Sequence, residues 1–168
     1  MMLIQNKIGR LGSFETAGKI IDWLQLEWHE TRKRILRKQT NGGKEVSIKF
    51  LNESPDLTEG DILFEDAQTI IAVEILPCDC LVIAPKNMFE MASVCYEIGN
   101  KHLPLFYEDA QLLVPFEQPL YKLLLAQGYA VQQQQKKLLQ QLKTTVAPHG
   151  NEGSTLFSKI MKLTSQQT

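Results

Sequence analysis

Between Cys80 and Lys136 the chain carries an order of signals that few folds accept: an apolar run, a helix, two brief extended pieces, a second helix and a closing strand. Cys80-Leu81-Val82-Ile83-Ala84 is continuously apolar, as a strand buried on both faces would be. Pro85-Lys86-Asn87 ends it, and Asn87 suits a helix N-cap. Met88, Met91, Ala92, Cys95 and Ile98 then recur at three- and four-residue steps, giving that helix an apolar face. Gly99 offers the left-handed position that ends a helix, with Asn100 beside it. Strands are expected at Leu103–Tyr107 and Gln111–Val114, around a turn at Glu108-Asp109. Pro119 fits the first turn of a second helix, stopped near Gln127 by Gly128. Tyr129 to about Lys136 is read as the last strand, although glutamines and leucines give Gln132–Lys143 helix propensity as well. This order, βαββαβ, is the ferredoxin-like one.

Residues 1–76 carry a different pattern. Strand candidates are Met2–Ile8, Asp22–Trp28, Arg32–Gln39, Val46–Phe50 and Ile70–Ile75, and Gly12 and Gly18 interrupt the only early helical candidate. Asn41-Gly42-Gly43 is a hairpin signal, because asparagine and glycine tolerate positive φ. Gly60 turns Leu57-Thr58-Glu59 into Asp61-Ile62-Leu63. The class is therefore α+β: an all-β domain over 1–76, a ferredoxin-like domain over 77–146, and a tail over 147–168. Pro148, Gly150 and Gly153 make that tail loop-like, and it is expected to be flexible.

The chemistry on offer is narrow. A net charge of −1 gives no overall field for nucleic acid or anionic membrane. No apolar run approaches the length of a membrane span, and no secretion signal opens the chain, so a cytoplasmic protein is expected. No phosphate-cradling loop, dinucleotide fingerprint or nucleophile elbow is present, so the chain is read as no enzyme. Cys78, Cys80 and Cys95 form no disulfide framework. Cys78-x-Cys80 lacks the second thiol pair that a soft-metal site needs, and Cys95 belongs to an apolar helix face. His29, between Trp28 and Glu30, has no second ligand at metal spacing. Arg32–Lys38 is the one basic cluster; it reads as a charged surface strand, as a contact for phosphate or RNA without a stacking aromatic, or as a docking surface for an acidic partner protein. His102 falls in a turn just past a helix end, where it can cap a terminal carbonyl or present an imidazole to a metal.

The run Cys95-Tyr96-Glu97-Ile98-Gly99-Asn100-Lys101-His102, followed by Leu103-Pro104-Leu105, resembles the urease accessory protein UreE family of nickel metallochaperones. The N-terminal features, Glu30-Thr31-Arg32 on a strand, a hairpin and Gly60-Asp61-Ile62-Leu63, are similar too. The resemblance implies a homodimer, and possible tetramers with metal, in which His102 of each subunit meets across a two-fold axis to hold one Ni2+. It also implies delivery to apo-urease with the GTPase UreG and other accessory proteins. His149 on the tail could add nitrogen ligands, and Zn2+ or Cu2+ could also bind. Glu97 stands where many relatives have histidine, and Phe116-Glu117-Gln118 replaces histidines that relatives often carry. The single histidine of the tail argues against storage of several ions. The competing function is an RNA- or peptide-binding module using Arg32–Lys38.

Overall fold

A computed structural model describes residues 1–16, 18–51 and 54–143. The first seven strands are β1 (Met2–Ile4), β2 (Gly9–Arg10), β3 (Ile20–Leu26), β4 (Ile35–Gln39), β5 (Glu45–Lys49), β6 (Asp61–Glu65) and β7 (Thr69–Ile75). They form two sheets, β1-β5-β4 and β2-β6-β7-β3. Ile4, Val46 and Ile48 of the first meet Leu24, Leu26, Ile71 and Val73 of the second in one buried cluster. Ile62, Ile70 and Ala72 fill the opposite side of the larger sheet beneath Leu11, Phe14 and Trp23, which explains why β6 and β7 are apolar on both faces.

The Asn41-Gly42-Gly43 turn joins β4 to β5 as expected, with Gly43 at φ +83°. Asp22, almost fully buried on β3, accepts hydrogen bonds from Thr40 Oγ1 and the Gly42 N–H, each at 2.7 Å. That carboxylate pins the hairpin tip to the facing sheet.

The N-terminal strand bounds shift for local reasons. Met2–Ile8 is not one strand, and β2 is a separate short piece. Glu30-Thr31-Arg32 lies on no strand: Trp28–Glu30 is a 3-10 turn in which the Glu27 N–H donates to Glu30 Oε2 at 3.0 Å. Thr31 Oγ1 then bonds the Trp28 carbonyl at 2.8 Å, so β4 starts only at Ile35. Much of the basic cluster is internally paired. Lys33 and Lys38 reach Glu30, and Arg32 reaches Asp56 at 3.2 Å.

The second half continues with β8 (Cys78–Ile83), α1 (Met88–Asn100), β9 (Phe106–Glu108), β10 (Gln111–Pro115), α2 (Gln118–Ala126) and β11 (Val131–Lys136). The antiparallel sheet has the order β11-β8-β10-β9, the ferredoxin-like arrangement. Leu81, Ile83, Leu112, Val114 and Val131 pack under Val94 and Ile98 of α1 and Leu120 and Leu124 of α2. The other sheet face carries Cys80, Val82, Phe106 and Leu113, and it is also covered. Trp28 from the β domain lies edge-on to Phe106, centroids 5.7 Å apart, and Leu138 fills the remaining space. Phe106 is thereby withdrawn from any role as a base-stacking platform.

Beyond β11 the chain is extended rather than helical. Residues 137–143 form a strap between the two halves. Lys137 pairs with Glu59 at 2.8 Å and Glu74 at 3.5 Å, and Lys143 with Asp56 at 2.8 Å. Gln141 bridges Phe106 in antiparallel sense, flanked by bonds from the Tyr107 N–H to the Gln140 carbonyl and from the Leu142 N–H to the Leu105 carbonyl.

Candidate metal centre

α1 begins where its sequence requires. Asn87 Oδ1 accepts the Glu90 N–H at 2.9 Å, while Glu90 Oε2 accepts the Lys86 N–H at 2.9 Å. Its buried face is Val94 and Ile98, helped by half-buried Met91 and Cys95. Met88 and Ala92, expected on that face, point outward. Phe89, Ala92 and Tyr96 recur at helical spacing on the outer side, where Met88, Phe89 and Tyr96 are 84%, 79% and 71% exposed. Clustered exposed apolar side chains of this kind are a common feature of contact surfaces.

The helix end also differs from expectation. Gly99 stays helical, Asn100 is the last helical residue, and Lys101 is the C-cap. His102 takes the left-handed position, at φ +55°. Its N–H donates to the Gly99 carbonyl at 3.0 Å and that of Leu103 to the Ile98 carbonyl at 3.3 Å, closing a Schellman motif. Leu103 then packs into the same cluster as Ile98, the apolar contact that accompanies such an ending. Pro104 and buried Leu105 lead into β9. The exposed imidazole is thus mounted on a closed turn at the end of the apolar stripe.

Among the described residues, no three His, Cys, Asp or Glu side chains gather. His29 is exposed and rests edge-on against Trp28, ring centroids 5.4 Å apart. Burial, with Cys80, Glu27 and Asp79 nearby, pushes the Cys78 thiol up to about 11. Burial raises Cys80 and Cys95 as well, so none of the three is poised as a free thiolate. His149 lies outside the described residues.

A β sandwich strapped to a ferredoxin-like domain, with one imidazole displayed at a helix end, defines a two-domain accessory protein of urease maturation once the comparisons are added. Residues 4–76 match the family described as UreE urease accessory protein, N-terminal domain, and residues 78–152 match its C-terminal domain. The chain belongs to the UreE urease accessory protein family. It is 45% identical to the urease accessory protein UreE of Flavobacterium johnsoniae, over 96% of this chain and 99% of that one. The Haemophilus influenzae (strain PittEE) UreE is 40% identical, over 86% of this chain and 80% of its own. That of Helicobacter pylori (strain G27) is 39% identical, over 88% and 89%. No helix among the described residues is long and apolar enough to cross a membrane.

Proposed function

We propose that this chain is a nickel-carrying chaperone for urease assembly, acting as a homodimer that holds one Ni2+ between the His102 side chains of two subunits. The observation that carries the reading is His102 at φ +55° in a position where glycine is the unstrained choice. Left-handed backbone costs a non-glycine residue roughly 1–2 kcal/mol, and strain of this kind persists where a side chain is needed in place. The neighbouring stripe of Phe89 and Tyr96 is the surface on which a second copy would pack. A two-fold axis beside it turns one imidazole into two. Imidazole suits Ni2+, and also Zn2+ or Cu2+ in vitro, so selectivity rests on the full ligand set.

The organisation follows: 1–76 docks partners, 77–146 dimerises and holds metal, and 147–168 is a tail whose His149 adds nitrogen ligands. The strap supports that last role. Continued by one residue, its pairing sets Lys143 opposite Pro104, two positions from His102. His149 follows Lys143 by six residues, a reach of up to about 20 Å when extended. An assembly with open positions on the ion suits handover better than a closed cage. The recipients are the GTPase UreG and the apo-urease complex, in the cytoplasm, and metal-loaded dimers can pair into tetramers. The chain carries its cargo without transforming it.

Nickel calorimetry on His102→Ala tests this. Loss of the tight site, with the dimer intact by light scattering, is expected; unchanged affinity would reject the reading. Affinity should also fall as pH falls, because protons compete with the ion for imidazole nitrogen.

A further inference from the structure

Of the eight glycines among the described residues, five hold a positive φ, which other residues adopt only under strain. Two more are crowded: a Cβ would meet the Phe14 ring at 2.6 Å from Gly9 and the Asp22 carboxylate at 2.7 Å from Gly42. Gly99 has neither reason. It is the next-to-last residue of α1, exposed and without a positive φ, and among the described residues nothing lies within 4 Å of where its Cβ would stand. A glycine there loosens the helix that leads to His102 and gains nothing within its own chain.

The surroundings of Gly99 indicate what it makes room for. It stands three residues beyond Tyr96 and seven beyond Ala92, on the exposed side of α1. Its carbonyl accepts the His102 N–H at 3.0 Å, so it is fastened to the turn that displays the imidazole. Every exposed residue of α1 is uncharged: Met88, Phe89, Ala92, Tyr96, Gly99 and Asn100. A two-fold contact sets a face against its own copy, where like charges would repel, and this face brings none.

We infer that Gly99 is a positioning residue for the shared ion: its missing side chain lets the α1 helices of two copies of this chain close up beside the two-fold axis, so that both His102 imidazoles reach one metal. The inference rests on the dimer reading above. Two imidazole nitrogens on one divalent ion stand at most about 4 Å apart. Helices packed through ordinary side chains run about 8–10 Å from axis to axis. The helix ends beside the ion therefore have to pack closely, and a side chain on Gly99 of each copy would hold them apart.

Nickel calorimetry and light scattering on the full chain test this, with Gly99→Ala and Gly99→Leu beside wild type and His102→Ala. Gly99→Ala should weaken nickel binding about tenfold and Gly99→Leu about a hundredfold or more, as the inserted groups force the helices apart. Stability of the single subunit should move the other way. With Phe89→Asp and Tyr96→Asp added to part the subunits, Gly99→Ala should raise the melting temperature by about 2 °C, because alanine holds a helix better than glycine. Opposite signs separate spacing between subunits from damage to the fold. Wild-type affinity in Gly99→Leu, with the tight site lost in His102→Ala, overturns the role of Gly99 and leaves the shared histidine standing. A lower melting temperature for Gly99→Ala in the parted subunits makes Gly99 a requirement of the fold and also overturns it. If wild type binds nickel as a monomer, if the doubly substituted chain stays a dimer, or if His102→Ala binds as tightly as wild type, the dimer reading fails and the inference falls with it.

Discussion

The two helices of the ferredoxin-like domain end in the same way with different residues. α2 has Gln127 as its C-cap and Gly128 at φ +79°, with the Tyr129 N–H on the Leu124 carbonyl and that of Gly128 on the Leu125 carbonyl. α1 repeats both bonds one for one, with His102 in the place of Gly128. At α2 the residue is the one backbone physics prefers. At α1 the same closure is made with strain, and the side chain that causes the strain is the one exposed beside an uncovered apolar stripe. The contrast is between a turn closed by the residue that backbone geometry prefers and one closed at a cost, which is what the proposed metal role of His102 calls for.

The largest effect should come from removing the exposed stripe on α1 that is proposed to pair two subunits. Phe89→Asp with Tyr96→Asp should give a monomer by light scattering, and nickel affinity should fall at least about a hundredfold as two imidazoles become one. A monomer with undiminished affinity would locate the site elsewhere. Next is the exchange of the two end residues. Gly128→His should cost about 1 kcal/mol in chemical denaturation and create no nickel site, because α2 lacks the outer stripe. His102→Gly should gain up to about 1 kcal/mol, relief of left-handed strain being partly offset by the freer unfolded chain. Destabilisation by His102→Gly would mean that the imidazole supports the fold. The smallest effect concerns the strap. The Lys143 hydrogen bond holds the Asp56 carboxyl below the ordinary carboxylate range against the opposing effect of burial, and Arg32 and Lys7 add to it. A depressed pKa stabilises the folded state above the ordinary range and ceases to do so as pH falls through it. The melting-temperature difference between wild type and Asp56→Asn should therefore be small at neutral pH, because the pair is largely exposed. It should vanish in acid, and a difference independent of pH would contradict the assignment.

Much of the second half was legible because its signals are local. Asn87 caps α1, Gly128 stops α2, and the apolar run at Cys80–Ile83 is buried on both faces as its composition indicates. The exact ending of α1 was not legible. Gly99 and His102 both lie near the end, and the packing of half-buried Leu103 into the core cluster that holds Ile98, Leu112 and Leu120 selects the later one. The outer stripe was concealed by the neighbouring periodicity: Met88 and Ala92 fit an inward face by spacing, but Val94 takes the core position. At Glu30 a short-range capping exchange with Glu27 overrides extended propensity. Trp28, Leu138 and Asp56 act between segments distant in sequence, so no local pattern announces them. Gln132–Lys143 suits helix or strand by composition, and the strap's anchors, Lys137 on Glu59 and Lys143 on Asp56, are contacts between segments distant in sequence.

The sharing of one ion by two copies of His102 is tested most directly by native mass measurement of a nickel titration, run on wild type and on His102→Gly. One ion per dimer in the wild type, and none retained by an intact His102→Gly dimer, is the expected result. One ion per subunit, or a variant dimer that keeps its nickel, would contradict it.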